Sequence, residues 1–341
     1  MPESPVPEAA AVKQPPSAAR TWTLRALRFG VTIAAFVWVF SRTPIGDVID
    51  AAQRVSLLSL LVAAALTAFN VLVVSSVRWR LLMSAYGAVA IPPVALLARL
   101  NWIGFFYNQW LPGGVGGDVV RGVASRRAFG ESSGAAGGMT GGVAVVFVER
   151  VLGLTGLLVI VGAASVLHPL RTPDGADVVP GLLIWSALGV LAGVVSVTAL
   201  ALGARLAPYV PAKLRSVVES LPRIQRPAPF ALAFLLSLVT QSIVAIIGHA
   251  VIVSLDPTVS AGSSFVCVPI AMATAFIPLT VGGAGAREEV FGTLYGAVGV
   301  ASADAVATSL LVWATQMVVA AVGGALPLPA ADDAPRPGEA K

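Results

Sequence analysis

Apolar runs of bilayer-crossing length recur along the whole chain, and a water-soluble fold has no interior large enough to hide them all. They fall at about Leu27–Phe40, Leu57–Val77, Gly134–Leu167, Gly181–Gly203, Phe230–Leu255 and Ala303–Leu326. A spanning helix needs about 20 residues, so the first run draws Trp22 and Arg25 into its interfacial turn. Composition enters at one point: only 11% of residues are charged and 57% are hydrophobic. Ordinary soluble domains carry about 25% charge, so a globular surface of this size could not be solvated. Soluble, disordered, collagen-like and coiled-coil classes are excluded. The chain reads as one membrane domain over residues 21–326, between disordered, proline-containing tails at 1–20 and 327–341.

Orientation follows from the basic residues. The net charge is +5, which in a soluble protein would raise the question of nucleic acid. Here the cations sit between apolar runs, so they read as positive-inside signals and no nucleic-acid partner is expected. With a cytoplasmic N-terminus, only Arg42, Arg54 and Arg171 fall in outer loops, while Arg150 and Arg287 lie at membrane depth. This holds only if residues 94–120 enter from the cytoplasmic side and return to it. By the same parity, Ser263–Val300 enters and returns on the opposite side. The predicted fold is an all-α polytopic membrane protein: about six full transmembrane helices plus two oppositely oriented re-entrant helical hairpins, with both termini cytoplasmic.

The two hairpins share a pattern. Pro112-Gly-Gly-Val115-Gly116-Gly117-Asp118-Val-Val-Arg121 and Pro278-Leu-Thr-Val281-Gly282-Gly283-Ala-Gly285-Ala-Arg287 are both P-x-x-V-G-G-x-x-x-R. Opposed breaks of this kind are the sequence sign of an inverted repeat, and discontinuous helices point to a transporter's binding site. Irregular backbone at membrane depth is tolerated only where protein buries it or it lines a wet cavity. Proline and glycine end the incoming half-helix and let the chain turn. The outgoing half-helix then presents N–H groups and its positive dipole end, and its first-turn arginine adds a forked cation. That combination suits a phosphate. The expected substrate contacts are Arg121, Arg287, Gly116, Gly117, Gly282, Gly283 and Gly285. Packing of small residues would account for the glycines alone.

Other polar residues stand out against the apolar background. Glu149 and Arg150 interrupt a long run. Helix neighbours diverge, so they are expected to find different partners, Glu149 with Arg121 or Arg287, or as a proton carrier. Asp118 is expected to cap the outgoing half-helix, and Glu288 to pair with Arg287. Glu149, Arg150, Asp118 and Glu288 thus form a charge-balancing set. Asn101 and Asn108 either line a headgroup path or bond between helices. His249 is expected to be a packed, hydrogen-bonded residue. Segment 204–229, with Lys213, Arg215, Arg223 and Arg226, reads as a loop or a stretch lying on the anionic leaflet. One cysteine, Cys267, and two histidines far apart, His168 and His249, leave no disulfide or His/Cys metal centre to expect. The absence of any Gly-Lys pair excludes a P-loop. No cofactor, metal or catalytic residue is expected.

The ordered set Asn108, Pro112, Gly117-Asp118, Arg121, Glu149-Arg150, Gly153, Pro278, Gly282-Gly283-Ala-Gly285-Ala-Arg287-Glu288 resembles the lysylphosphatidylglycerol synthase transmembrane, or flippase-like, family over about residues 25–326. The resemblance implies a bacterial inner-membrane protein that handles lipids. In full-length synthases of that family a soluble domain aminoacylates phosphatidylglycerol and the membrane part is associated with moving the product between leaflets. No such domain is expected after the last apolar run here, so catalysis is not expected either. The function expected is translocation of an anionic phospholipid or lipid-linked headgroup held between two half-helix ends. Two alternatives stay open: a membrane subunit presenting lipid to a separate aminoacyl- or glycosyltransferase, and a small-solute secondary transporter.

Overall fold

The computed structural model describes residues 18–111, 116–129, 134–172, 175–179, 181–206, 224–276 and 283–327. Among these residues the chain is helical: α1 (Ala18–Arg42), α2 (Ile45–Arg54), α3 (Leu57–Ala85), α4 (Val94–Trp110), α5 (Gly116–Ser125), α6 (Gly134–Leu167), α7 (Leu182–Leu206), α8 (Pro227–Ile252), α9 (Ala261–Ala273), α10 (Ala286–Ala297) and α11 (Ser302–Gly324). Most of both tails, most of segment 204–229 and the tips of the two P-x-x-V-G-G turns, with Gly282, lie outside the described residues.

The fold is an all-α polytopic membrane protein. Four helices are long and apolar enough to cross a bilayer: α3, Gly141–Leu167 of α6, α8 and α11. The other two runs expected to cross fall on α1 and α7. The stretch Phe29–Arg42 of α1 bends by 83° into α2, and the pair counts as a fifth span if taken together. Leu182–Thr198 of α7 is a shorter apolar helix. Burial runs against the soluble rule. Leu57, Leu61, Ile184, Trp185 and Val318 are exposed, while Arg78, Arg121, Glu149, Arg287 and Glu288 are buried. Lipid is the solvent for such a surface, and charge is kept inside.

Local sequence sets the helix boundaries. Ser56 and Ser260 are N-caps whose hydroxyls accept from the Ser59 and Ser263 N–H groups at 3.1 and 3.0 Å. Pro227 stands in the first turn of α8, where its missing N–H costs nothing. Residues 41–56, read from sequence as an outer loop, contain α2. Pro44 ends the direction of α1 and fixes the backbone that starts α2. Val48 and Ala51 then pack on Val306 and Ala307 of α11, and Arg54 closes the contact with Asp304 at 2.5 Å.

Hydrogen bonds along α11 fix how the two hairpins enter the bundle. Arg99 at the start of α4 donates to the Pro327 carbonyl (2.7 Å), Trp102 Nε1 to the Val319 carbonyl (2.8 Å), and Gln109 near its end to Gln316 (3.0 Å). So α4 runs beside only the C-terminal part of α11. Helix α10 lies beside the other part: Arg287 reaches Ser309 (3.0 Å), and Gly292 faces Ser302 and Val306. Gln109 and Arg287 thus meet α11 at Gln316 and Ser309, seven residues apart, roughly 10 Å at 1.5 Å per residue. Each hairpin closes where it opens. The Val89 and Ala90 N–H groups both donate to the Ala128 carbonyl, at 2.8 and 3.2 Å. In the second hairpin the Tyr295 hydroxyl donates to Ser264 at 2.9 Å.

The chain therefore contains two span–hairpin–span units, α3 with α4–α5 and α6, then α8 with α9–α10 and α11. Helices α3 and α8 are antiparallel, since the Gln225 N–H before α8 meets the Ala85 carbonyl at the end of α3 (2.8 Å). The second unit thus runs inverted relative to the first, as the repeated motif predicts.

Candidate functional site

A cavity of about 230 Å³ opens where the first hairpin ends inside the bundle. Helices α3, α4, α5, α6 and α8 all contribute to its wall. Two features of the backbone shape it. Asn70–Val74 is a π-helical turn in the middle of α3, and Val71 and Ser75 beside it line the cavity. Such turns are rare and concentrate at functional sites. At the hairpin tip, α4 and α5 touch backbone to backbone, because a Cβ on Gly117 would fall on the Gly104 carbonyl. Only glycine permits that approach.

The floor of the cavity is ionic. Arg78 of α3 donates Nη2 to Glu149 Oε1 at 2.6 Å, and Arg121 of α5 pairs with Glu149 Oε2. One carboxylate on α6 therefore serves two guanidinium groups. All three side chains are buried. Arg121 also lies over the Trp79 ring, 4.5 Å from its centroid, a cation–π contact. Much of the donor capacity remains unused. Arg78 Nη1 stands at the long distances of 3.4 and 3.5 Å from the Ser237 and Thr240 hydroxyls. The Nε–H groups of both arginines are buried with no partner. Buried donors without acceptors cost stability.

Nearer the mouth, Arg150 and Asp118 form a second pair (Nε–Oδ2 2.8 Å, Nη2–Oδ2 2.7 Å). Asn108 organises the start of α5: its Oδ1 accepts from the Gly117 N–H (2.8 Å) and its Nδ2 donates to Asp118 (3.2 Å). The cap expected from Asp118 is thus supplied by Asn108 from across the turn, and Asp118 is left to hold Arg150. Asn101 donates to Ser76 at 2.8 Å and Gln241 to the Gly153 carbonyl at 2.9 Å.

The sequence-derived set divides in two. Arg121, Glu149, Arg150, Asp118, Asn101 and Asn108 all line this one cavity. Gly116 and Gly117 stand at its edge as the tight first turn of α5. The second motif builds something different. Gly283 and Gly285 have φ of +81° and +82°, which turn the chain into α10. Glu288 accepts from the Gly285 N–H (2.6 Å), from Arg287 Nη2 (2.7 Å) and from Ser309 (2.8 Å). Arg287 and Glu288 are 3% and 0% exposed and are absent from the cavity wall. The first break therefore presents cations to a cavity, whereas the second is a closed, self-neutralised pair.

Sequence reading missed Arg78, taken as a boundary residue because it follows an apolar run. The helix continues to Ala85 and carries Arg78 inward. The signal was a polar stripe: Asn70, Ser75 and Arg78, with the five-residue step marking the π turn. Ser237, Thr240 and Gln241 form a matching stripe on α8. Elsewhere His249 bonds Ser264 at 3.0 Å as a packed residue. Among the described residues no group of three His, Cys, Asp or Glu side chains could hold a metal ion.

Comparison with known proteins adds one match. A model of the lysylphosphatidylglycerol synthase TM region matches residues 25–324. No curated protein matches the chain.

Proposed function

The chain belongs to the lysylphosphatidylglycerol synthase TM-region family, and from that premise we propose that it binds the phosphate of an anionic membrane lipid in the Arg78–Arg121–Glu149 cavity and passes that lipid between leaflets. The observation that carries this reading is the shared carboxylate: two buried guanidinium groups on one glutamate leave cationic donors facing a cavity at membrane depth. Ionisable groups inside a membrane are costly, and they face water-filled paths or substrates. A phosphate oxygen entering there meets charge-assisted donors in a medium where such bonds are strong.

Glu149 holds the arginines in place while the cavity is empty, and the Asp118–Arg150 pair keeps the mouth neutral. Asn101 and Asn108 border the path by which a headgroup reaches them. The Arg287–Glu288 pair, at the tip of the inverted hairpin, serves as the opposite gate and takes up the headgroup when that side opens. Without a nucleotide motif, the movement follows the lipid gradient or the membrane potential. The excess of Lys and Arg in the loops read as inner supports cytoplasmic termini, and the family supports a bacterial inner membrane.

The test is a labelled-lipid accessibility assay in proteoliposomes containing a fluorescent phosphatidylglycerol. Wild-type protein should expose inner-leaflet label to an external quencher, and Arg78→Ala, Arg121→Ala and Arg287→Ala should slow that exposure. Movement that survives both Arg78→Ala and Arg121→Ala overturns the reading. Solute uptake without lipid movement would favour a small-solute transporter instead.

A further inference from the structure

Helices α1, α9 and α11 all pack against α10 of the second hairpin. Two of the three are built into the bundle: α9 also packs on α6 and α8, and α11 on α2, α3, α4 and α8. Helix α1 differs, because its main contact is α10. From Phe29 to Trp38 no residue is buried, and Val31, Ile33, Val37 and Trp38 are exposed. Ala35 and Phe36 form the seat of this arm. A Cβ on Gly285 would fall 2.4 Å from the Ala35 Cβ and 3.2 Å from the Phe36 nitrogen. The Gly285 N–H is the one that Glu288 holds at 2.6 Å. The arm therefore lies directly on the turn that closes the Arg287–Glu288 pair.

The other end of the arm is anchored. Val48 and Ala51 fix α2 on α11, and Arg54 ties it to Asp304. Between arm and anchor the chain bends by 83°. Pro44 has no N–H, so the helical ladder breaks there. The Thr43 hydroxyl meets Ser302 at 2.6 Å, and Val39, the buried residue of the arm, packs beside this elbow on α2 and α11. One clasp joins the arm to α10, Arg42 Nη1 to Glu289 Oε1 at 3.7 Å, with the Arg42 side chain 61% exposed. Exposed ion pairs hold weakly. An apolar helix face that leaves its seat in a bilayer meets lipid as apolar as the surface it left, so parting costs little.

We propose that Phe29–Arg42 is a lateral lid, hinged at Thr43–Pro44, which swings into the bilayer and uncovers the Arg287–Glu288 pair. This rests on the reading of that pair as the opposite gate, and goes beyond it by naming the element that opens the gate and the direction of opening. Withdrawing acyl chains from hydrocarbon is costly for every methylene. A gate for a lipid headgroup at membrane depth must therefore open sideways, and α1 is the neighbour of α10 that moves without unpacking the bundle.

The experiment uses the full chain carrying Cys267→Ala, so that introduced thiols alone react. Arg42→Cys with Glu289→Cys, joined by a bis-maleimide with an internal disulfide, ties the lid to α10. In proteoliposomes containing fluorescent phosphatidylglycerol the tie should stop label movement, and a reductant should restore it, which a misfolded variant would not do. In a second variant, Ile33→Cys with Val318→Cys, spin labels on two exposed apolar positions report the separation of α1 and α11 by pulsed electron paramagnetic resonance in nanodiscs. Two separations should appear, one for each lid position. If the tied protein moves lipid at the untied rate, or a single separation is seen, while Arg287→Ala still slows movement, the lid is wrong and the gate stands. If Arg287→Ala leaves movement unchanged, the gate reading itself is wrong and the lid falls with it.

Discussion

Replacing Glu149 by glutamine should destabilise the empty protein strongly, and an anion should repair the damage. Each Glu149 oxygen is committed to a different arginine, and the side chain is only 5% exposed. Glutamine removes the charge and turns one acceptor into a donor that faces a guanidinium. Removing one partner of a buried pair typically costs about 3–5 kcal/mol, because the remaining charge is left without compensation. Two stranded arginines put this case toward the upper end, and water in the cavity offsets part of it. Thermal unfolding in detergent, followed by tryptophan fluorescence, reads the loss. Removing one of the stranded cations should help, so Glu149→Gln with Arg78→Gln should be less destabilised than the two single losses added. Coupling of contacting residues runs to about 0.5–3 kcal/mol. Phosphatidylglycerol held at about a hundredfold the wild-type Kd should stabilise wild type by about 2.7 kcal/mol if it binds the folded state alone. The recovery should be greater in the variant than in wild type, since the anion takes the place that the carboxylate left. Additive losses, with no greater recovery in the variant, would refute the view that a carboxylate and a ligand anion compete for the same arginines.

Three further outcomes follow from local geometry. Gly117→Ala should lower stability by about 1–3 kcal/mol or more, because its methyl meets the Gly104 backbone, which cannot step aside; Gly296→Ala, with open space around it, should be close to neutral in the same melt. Ser56→Ala and Ser260→Ala should each cost about 1 kcal/mol through loss of an N-cap bond, again read by thermal unfolding. Tyr86 lies just past α3 with its hydroxyl buried and unpartnered, and burial pushes its phenol up from 10.0 to about 12. The folded state therefore holds that proton longer than the unfolded chain does. Its contribution to stability is complete below about pH 10 and is lost as pH rises through about 12; Tyr86→Phe should flatten that alkaline decline in a pH series of melts.

Much of the architecture was legible in the apolar runs because lipid enforces helix wherever the backbone is buried in it. Leu57, Gly134 and Val94 begin helices where the runs begin. The pairing of two breaks on opposite sides came from charge parity and a ten-residue pattern, and the bonds to α11 bear out the inversion. Less legible was everything decided by packing across helices. Two identical P-x-x-V-G-G-x-x-x-R patterns gave unequal surroundings, since Arg121 meets its glutamate on α6 while Arg287 finds Glu288 beside it on α10. Position 122, one after the first arginine, is glycine, so no such neighbour was available to Arg121. Arg78 was hidden by its place at the end of an apolar run, where a snorkelling side chain is the ordinary outcome. The 83° turn at Pro44 lay in a segment too polar and too short to show as a membrane element.

The two hydrogen bonds that the Ala128 carbonyl accepts have a mechanical meaning. With its two legs tied at the base by Val89 and Ala90 and pressed together at Gly104 and Gly117, the first hairpin has no slack at either end. Its two legs are joined as one wedge packed on α6 and α11. If access to the arginines changes by sliding of that wedge, a covalent tether between its legs should leave lipid movement unchanged and one from Gln109 to Gln316 should block it.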